Sequence, residues 1–512
     1  MVLGAVFCLV QLRILAPEHD NAFLLDISGW MLEGGRYFYE FQEVNPPLFP
    51  VLLFPVHWTQ ALTGFGVYPL FIAWISILIT ASSVVVLRQL REVLDEGSSG
   101  CLWAAVGTEA ALFFLPGLDF GQRDHLGVVL FLPALVGLAA RDVAASATSR
   151  DWLIGVVGVL GLLMKPHLLI VGCSVYAMRL AQERNWRILI EPPLLAGLAV
   201  VCLYAGAILI FFPEWLSVMK MARLVYASYD ADSWFTNRTF FSLAVIFGLA
   251  AANEIFGRGK ERRLGRLLAA AAAGALGSYV LQHKDFEYHF IPTKVLVWLL
   301  AGLVAMSAVQ TVATMSWMPR LLGWTQAAGR HRALILCLIS LLPLYRMADK
   351  TEMFGHQVDL DELRLVEFLR VNAAGPRIAS FSTSLWPAYP LPMYRASLPA
   401  WRFAQPWPIS WIVLQEQKGL ADAADTVRMS FDLREMVKED FRRFKPDALL
   451  VDESPHMQAI SGKFEMLAWF RRDPELAVLL DDFERVAEFK PPGHEYLPTD
   501  LALYRRRARK QP

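Results

Sequence analysis

Charged side chains of this chain gather at short polar turns between long apolar segments. Asp20 follows the first apolar segment, and Lys165 and His167 flank Pro166 between two others. A carboxylate can take a proton from a hydroxyl group, and a lysine or arginine can stabilise an anion such as phosphate. The sequence therefore predicts proton transfer and anion binding at these turns.

The composition is that of a polytopic membrane protein. Of the 512 residues, 55% are hydrophobic and 19% are charged, and the mean hydropathy is +0.39. The charges are clustered between the apolar runs. The formal net charge is zero, and no nucleic-acid partner is predicted. All five cysteines lie in apolar runs and none has metal-ligand spacing, so we expect no disulfide in the polar C-terminal part.

The apolar runs predict about eleven membrane spans, several of them shorter than the usual ~20 residues. Arginine-rich connections near 88–91, 141–150, 179–187, 257–266 and 320–332 alternate along the chain, and the positive-inside rule places them in the cytoplasm. The other connections are then outside. The predicted spans are the N-terminal run, taken as a retained first span, and 66–87, 101–118, 126–140, 152–164, 168–180, 194–213, 239–256, 267–282, 291–311 and 333–345.

The predicted fold class is a polytopic α-helical membrane protein with a small C-terminal extracytoplasmic α/β domain. Residues 1–346 form the membrane domain, with a first outer loop at 17–65, and residues 347–512 form the soluble domain. A helix is predicted at "DELRLVEFLRVN" and strands at "RIASFST", "DALLVDE" and "LALYRRR".

The first outer loop predicts an interfacial helix that ends at Gly34-Gly35. Phe23 and three further apolar residues recur at helical spacing, and Asp26 and Glu33 share the opposite face. The pattern of these two acids is that of solvated side chains. Asp20 is either the N-cap of the helix or a catalytic carboxylate.

This loop resembles the first periplasmic loop of the GT-C glycosyltransferases. These membrane enzymes use polyprenyl-phosphate sugars and include the protein mannosyltransferases and aminoarabinose transferases. The family pattern is an acid pair and a tyrosine, then a glycine-tyrosine-acid segment, then two prolines. Here Asp20-Asn21 takes the place of the acid pair, Phe23 stands at the tyrosine position, and "GGRYFYE" and "NPPL" follow, with Glu40 or Glu43 as the later acid. The similarity covers most of the chain, since it includes the spans and the soluble C-terminal domain.

The resemblance implies sugar transfer from a polyprenyl-phosphate donor to a glycan, lipid or protein acceptor, by single displacement with inversion. Asp20 would be the base. It also implies a bacterial inner-membrane protein, in contact with membrane lipids, whose active site and C-terminal domain are periplasmic. A divalent cation, Mg²⁺ or Mn²⁺, is compatible with the acids but not required, and its ligands stay undefined. Glu40 and Glu43, held near the membrane by an extended Pro46-Pro47 segment, are candidates for acceptor or metal contact.

A second outer turn contains Arg123, Asp124 and His125. Arg123 is suited to a phosphate oxygen, while Asp124 or His125 could orient the acceptor or a cation. The alternative is an Arg123–Asp124 ion pair that caps the next helix.

Two further turns carry the remaining candidates. Lys165 and His167 are predicted to bind the donor phosphate, although a lysine here could also extend to the membrane interface. In "LQHKDFEYHFIPTK", Lys284 and His289 are predicted at the same phosphate, and Tyr288 at the acceptor or a metal; a solvated turn is the alternative.

Two other classes of protein fit the same apolar pattern. One is a transporter or flippase of lipid-linked sugars or small molecules, and the other is a non-catalytic envelope-assembly protein. Transporters place polar residues at mid-membrane and show repeat symmetry, whereas here the polar residues lie at the outer ends and no repeat is seen.

Overall fold

The computed structural model describes residues 18–94, 99–226, 237–282, 286–313, 358–457, 460, 462–490 and 500–507. The chain divides into two compact units. The bundle unit is Phe71–Ala207 and Ala231–Phe354 with Met1–Arg13, and the sheet unit is Ile14–Leu70, Ile208–Asp230 and Gly355–Pro512. The predicted boundary between 346 and 347 lies outside the described residues. The first outer loop, however, groups with the C-terminal domain.

The described elements follow in chain order. The α-helices are α1 His19–Leu32, α2 Leu48–Leu52, α3 Phe54–Thr63, α4 Val67–Val93, α5 Ser99–Phe114, α6 Arg123–Ala140, α7 Ser149–Leu162, α8 Leu169–Glu183, α9 Pro192–Phe211, α10 Trp215–Tyr226, α11 Asn237–Phe256, α12 Gly259–Leu281, α13 Ile291–Ala313, α14 Val358–Asn372, α15 Pro408–Gln417, α16 Ala424–Phe444, α17 Met466–Phe470 and α18 Pro474–Asp481. The strands are β1 Arg377–Phe381, β2 Leu398–Pro399, β3 Ala448–Asp452, β4 Phe483–Phe489 and β5 Leu501–Arg506.

Six described helices are long and apolar enough to cross a membrane: α4, α6, α9, α11, α12 and α13 with the turn before it. Helices α5, α7 and α8 have only 16, 14 and 15 residues. The first predicted span and the predicted span 333–345 lie outside the described residues. The coarse expectation of a helical protein with several apolar spans is therefore confirmed, and the number of about eleven stays a prediction.

A stripe of glycines on α7 allows unusually close helix packing. A Cβ atom built on Gly161 would lie 2.6 Å from the carbonyl oxygen of Gly127 in α6, and one on Gly158 would lie 2.5 Å from the Ala134 methyl group. Small residues at such spacing let two backbones approach in an apolar setting. This packing positions the first turn of α6 relative to the chain that leaves α7.

The arginine-rich connections of the bundle meet at one end, which we call the basic end. Arg263 at the start of α12 binds Asp142 at 3.2 Å and Glu183 at 3.0 Å, which links the α6–α7 connection to the end of α8. Arg150 pairs with Glu92 at the end of α4. Four of the five loops expected on one side are thus represented at one end of the described bundle.

The sheet unit contains a five-stranded sheet in the order β2-β1-β3-β5-β4. Strand β1 runs parallel to β2 and β3, and β5 runs antiparallel to β3 and β4. One apolar core contains Phe381, Ile409 and Leu433 of β1, α15 and α16. A second contains Leu365 of α14 with Leu450 and Leu503. The predicted C-terminal helix and the three predicted strands are confirmed as α14, β1, β3 and β5.

The first outer loop is fixed to the C-terminal part of its own unit. The Arg402 guanidinium donates to the Phe38 carbonyl at 3.0 Å, and the backbone N–H of Gln42 donates to the Arg402 carbonyl at 3.0 Å. The predicted helix is confirmed as α1. Its N-cap is Glu18, whose side chain accepts the Asp20 N–H, so the N-cap expectation for Asp20 is wrong. Pro47 has helical backbone angles and is the N-cap of α2, so the extended segment is shorter than predicted.

Candidate active site

Three side chains from distant parts of the sequence meet in the bundle unit, and we call them the Asp124–Lys165–His289 cluster. Asp124 lies in the first turn of α6, Lys165 precedes the 3₁₀ turn Pro166–Leu168, and His289 lies in the turn Glu287–Phe290. Lys165 Nζ is 2.5 Å from Asp124 Oδ2 and 2.9 Å from His289 Nδ1. All three side chains are buried.

The hydrogen-bond pattern assigns the tautomer of His289. An ammonium group only donates hydrogen bonds, so His289 Nδ1 must accept from Lys165. The distance from Nδ1 to Asp124 Oδ2 is longer, at 3.5 Å. In the neutral ring the hydrogen therefore lies on Nε2. The imidazole acts as a neutral neighbour of the Lys165–Asp124 ion pair.

The cluster places an ion pair at one end of an apolar bundle and leaves one acceptor unused. Asp124 Oδ1 is buried and has no hydrogen-bond donor among the described residues. Lys165 Nζ also lies 4.6 Å from the centroid of the Tyr288 ring, within range of a cation–π interaction. A buried acceptor without a donor is unfavourable, which suits Oδ1 to a hydroxyl group of a bound molecule.

Two further polar groups lie next to residues of the cluster. His167 Nδ1 is 2.8 Å from Ser278 Oγ of α12, and its ring centroid is 6.5 Å from that of His289. Glu287 binds Arg238 at 2.6 Å and Lys294 at 2.9 Å. Ser278, Arg238 and Lys294 were not among the site residues predicted from the sequence. Arg238 and Lys294 could have been predicted from the sequence, because each is a charged residue in the first turn of an apolar helix.

Local sequence explains how Lys165 reaches this position. A residue before proline disfavours helical angles, and Lys165 is extended at φ −140° and ψ 121°. Helix α7 ends just before it, and Pro166 starts the 3₁₀ turn that leads into α8. The glycine stripe on α7 holds this turn close to α6, which carries Asp124.

The structure changes the expectations for Lys165, Asp124 and His125. Lys165 has no acid nearby in the sequence, but the fold supplies Asp124, and with 3% exposure its side chain does not extend to the surface. The Asp124 carboxylate pairs with Lys165 rather than forming the alternative cap with Arg123, which is buried in the same helical turn. His125 makes other contacts: its Nδ1 accepts the Gly121 N–H at 3.0 Å.

Asp20 lies in the sheet unit, in the one group that could hold a metal among the described residues. One ligand atom each from Glu18, His19 and Asp20 lies within 4.8 Å of the others. Carboxylate oxygens suit Mg²⁺ or Mn²⁺. Both oxygens of Glu18 are already used, by His19 Nδ1 at 2.7 Å and by the Asp20 N–H at 3.0 Å. The group is thus explained as a helix cap, and the cation stays a prediction.

The other acids of the first loop have partners within the sheet unit. Glu40 binds Arg443 at 2.6 Å and the Arg36 N–H at 2.8 Å, and Glu43 Oε1 accepts the Asn45 N–H at 2.7 Å. Although burial acts to raise it, the pKa of Glu40 is lowered by Arg443 and the Arg36 N–H. These contacts tie Glu40 to both the loop and α16 and Glu43 to the loop, and their predicted role in acceptor or metal contact stays untested.

Asp26 is not the solvated acid that the helical pattern suggested. Its residue is half-buried, but protein surrounds the carboxyl group, and this burial raises its pKa to about 7 despite a hydrogen bond with Tyr389. The Tyr389 ring packs on Phe23 of α1, with centroids 5.2 Å apart. Burial and the neighbouring Asp26 also raise the pKa of Tyr389. Sequence periodicity could not reveal this pair, because Tyr389 comes from the proline-rich loop after β1.

The predicted site residues thus fall into two sets. Lys165, His289, Asp124, Tyr288 and His167 are gathered in the bundle unit. Asp20, Glu40 and Glu43 belong to the sheet unit, so their predicted convergence with the cations stays a prediction. Lys284 lies outside the described residues. Comparison of the chain with models of known protein families, with curated proteins and with solved structures found no match.

Proposed function

We propose that this protein is an integral-membrane glycosyltransferase that moves a sugar from a polyprenyl-phosphate donor to an extracytoplasmic acceptor. The Asp124–Lys165–His289 cluster is the observation that carries the proposal. A buried lysine at one end of an apolar bundle suits a phosphate that belongs to a lipid. Membrane proteins rarely bury such charges without a functional reason.

In this proposal Lys165 stabilises the negative charge that develops on the leaving phosphate. Asp124 fixes the ammonium group by ion pairing, and the neutral His289 accepts a second hydrogen bond from it. The unused Asp124 Oδ1 accepts a hydroxyl group of the sugar. A bound sugar thereby supplies the donor that this buried oxygen lacks.

The transfer itself is a single displacement. The acceptor oxygen forms a bond with the anomeric carbon, the bond from that carbon to the phosphate oxygen breaks, and its electron pair leaves with the phosphate. Asp20 takes the proton of the acceptor hydroxyl. Support for Asp20 comes from the resemblance of its loop and from its half-buried position at the start of α1.

A flippase for lipid-linked sugars is the second candidate, and a specific observation favours it. The cluster is internally neutral and buried, which suits a site that a lipid phosphate enters and leaves without chemistry. Glycosyl transfer forms a new bond, whereas flipping only changes the leaflet of the lipid. The two functions therefore give different products in one assay.

The test uses purified protein in liposomes with labelled polyprenyl-phosphate sugars and a mixture of envelope acceptors. We expect wild-type protein to form a labelled glycoside and Lys165→Met to lower turnover by about 100-fold or more, the typical effect of losing one group that stabilises a developing anion. Lys260→Met at the basic end is the matched control and should retain activity.

Asp20→Asn tests the base separately, and equal turnover in this variant and wild type would remove Asp20 from that role. Wild-type movement of labelled lipid between leaflets without any glycoside would support the flippase. Normal transfer by Lys165→Met would contradict the proposed site.

A further inference from the structure

A groove at the basic end of the bundle is lined by none of the candidate active-site residues. It has a volume of about 680 Å³ and is lined by the ends of α8 and α11 and the first half of α12. One wall is apolar, with Phe247, Ala250 and Ala251 of α11. The rim is polar and contains Gln182, Arg184, Glu254 and Arg266. A groove with these two kinds of lining fits an amphipathic molecule.

The rim has the character of an anion site. Arg184 follows the last residue of α8 and has a left-handed backbone conformation, at φ 48°. It forms no ion pair with any of the described residues. The amide nitrogen Nε2 of Gln182 is buried and has no acceptor in the described part of the chain. A guanidinium group and an amide N–H without acceptors in one groove are both donors for an anionic oxygen.

Arg266 and Glu254 complete the rim as a fixed pair. Arg266 Nε and Nη2 donate to the two oxygens of Glu254 at 2.7 and 2.6 Å. This two-pronged bond uses the carboxylate, so it leaves the positive charge of Arg184 uncompensated within the groove. The rim therefore carries two arginines against one acid and attracts a negative group.

The apolar wall continues from this rim along a candidate membrane span. Phe247 is 69% exposed on α11, which is one of the six apolar helices. From Phe247 to Glu254 the helix rises by about 10 Å, at ~1.5 Å per residue. The alanines between them leave a shallow track beside the Phe247 ring. This arrangement matches a hydrocarbon chain that leads away from a charged headgroup.

We propose that this groove binds an anionic phospholipid. The phosphate contacts Arg184 and the Gln182 amide, and one acyl chain lies along Ala250, Ala251 and Phe247. A soluble phosphate would use only the rim and would gain nothing from the apolar wall. Basic pockets between membrane-spanning helices on the cytoplasmic side are known binding sites for anionic lipid headgroups.

The test measures lipid binding by native mass spectrometry of the full-length protein, with phosphatidylglycerol and phosphatidylcholine as the probes. We expect tighter binding of phosphatidylglycerol, and about a 10-fold loss in Arg184→Gln, in keeping with one charge-assisted contact. Arg150→Gln removes the same charge from an exposed pair at the basic end and is the matched control. Its affinity should equal that of wild type.

A second variant tests the apolar wall without changing charge. Ala251→Trp fills the acyl-chain track at an exposed position, so the fold should tolerate it while lipid binding is lost. Soluble glycerol phosphate, added as a competitor, should not displace the lipid at matched concentration. Equal affinity for the two lipids, an equal loss in Arg150→Gln and Arg184→Gln, or full displacement by glycerol phosphate would each overturn the proposal.

Discussion

The buried ion pairs Arg402–Asp440 of the sheet unit and Lys165–Asp124 of the bundle unit differ in how completely their hydrogen-bonding groups are used. In the sheet unit, Arg402 donates from its backbone N–H and Nε to Asp440, from Nη1 to the Phe38 carbonyl, and from Nη2 to Glu439. In the bundle unit, the Lys165–Asp124 pair leaves Asp124 Oδ1 without a donor among the described residues.

This difference separates a structural pair from a candidate binding site. Each side-chain nitrogen of Arg402 donates a hydrogen bond, so the contacts with Phe38, Glu439 and Asp440 explain this pair. An unused buried oxygen in the other pair has no such explanation within the described chain, and a ligand hydroxyl would satisfy it. Mutations that break each pair should therefore have different consequences for stability and for ligand binding.

The largest expected effect comes from Lys165→Met in the bundle unit. Removal of the ammonium leaves the Asp124 carboxylate buried and uncompensated, which should cost about 3–5 kcal/mol of stability. Thermal unfolding of the purified protein in detergent measures the loss. Lys294→Met, which breaks a partly exposed ion pair with Glu287 and a long cation–π contact with Phe290, should cost about 1 kcal/mol or less.

Addition of Asp124→Leu to Lys165→Met should recover much of this stability, because an apolar pair can replace a buried ion pair. The double variant should nevertheless fail to bind the polyprenyl-phosphate donor. Recovery of donor binding in the double variant would show that the cluster is only structural, and the contrast with Arg402 would disappear.

The next effect in size is that of Arg402→Met in the sheet unit. It removes the side-chain donors of the Phe38 carbonyl and of Asp440 Oδ1, while the backbone N–H of residue 402 can still donate to Asp440 Oδ2. Burial already raises the Asp440 pKa to about 6 against the effect of Arg402, so this acid can take a proton. We expect a loss of about 2–3 kcal/mol. Donor binding should be unchanged, in contrast with the Lys165 variant. Arg428→Met changes an exposed arginine on α16, the helix that carries Asp440, and is the control for unfolding measurements.

Asp26 gives a smaller effect that depends on pH. Its pKa is raised to about 7 in the folded protein, above the ordinary value near 3.8. The raised pKa contributes stability that is fully present below pH ~4 and is lost as the pH rises through about 7. Wild-type unfolding temperature should therefore fall between pH 5 and 8 (about 2–4 °C for each kcal/mol lost) relative to Asp26→Asn. Glu33→Gln, at the end of the same helix, should keep the wild-type profile.

Local patterns of the sequence were sufficient for the elements of the fold. Helical apolar spacing identified α1 and α14, and short apolar runs identified β1, β3 and β5, whose residues are mostly buried. The arginine-rich loops also predicted a common end, and Arg263 joins several of them. The grouping of the first loop with the C-terminal domain was not predictable, because Arg402 and Phe38 are too far apart in sequence.

The sequence predicted which residues belong to the candidate site, but not which of them contact one another. Asp124, Lys165 and His289 were each selected because a polar residue at the end of an apolar run needs a reason to be there. That they touch one another depends on the packing of α6 against the α7–α8 turn, which no spacing in the sequence encodes. The hydrogen bond between Asp26 and Tyr389 was missed for the same reason, and solvation was the wrong expectation.

The smallest effect concerns Glu40 and Arg443, which lie on the surface of the sheet unit. Their ion pair is partly exposed, so Arg443→Met should cost only about 0.2–1 kcal/mol, and added salt should reduce even this difference. The pKa of Glu40 is lowered, so its contribution is present above the ordinary value of 4.5 and is lost as the pH falls. Glu40 and Asp26 thus respond to pH in opposite directions within one loop. A loss above 2 kcal/mol in Arg443→Met, or one insensitive to salt, would mean that this surface pair behaves like the buried Arg402 pair, and exposure would no longer distinguish the two.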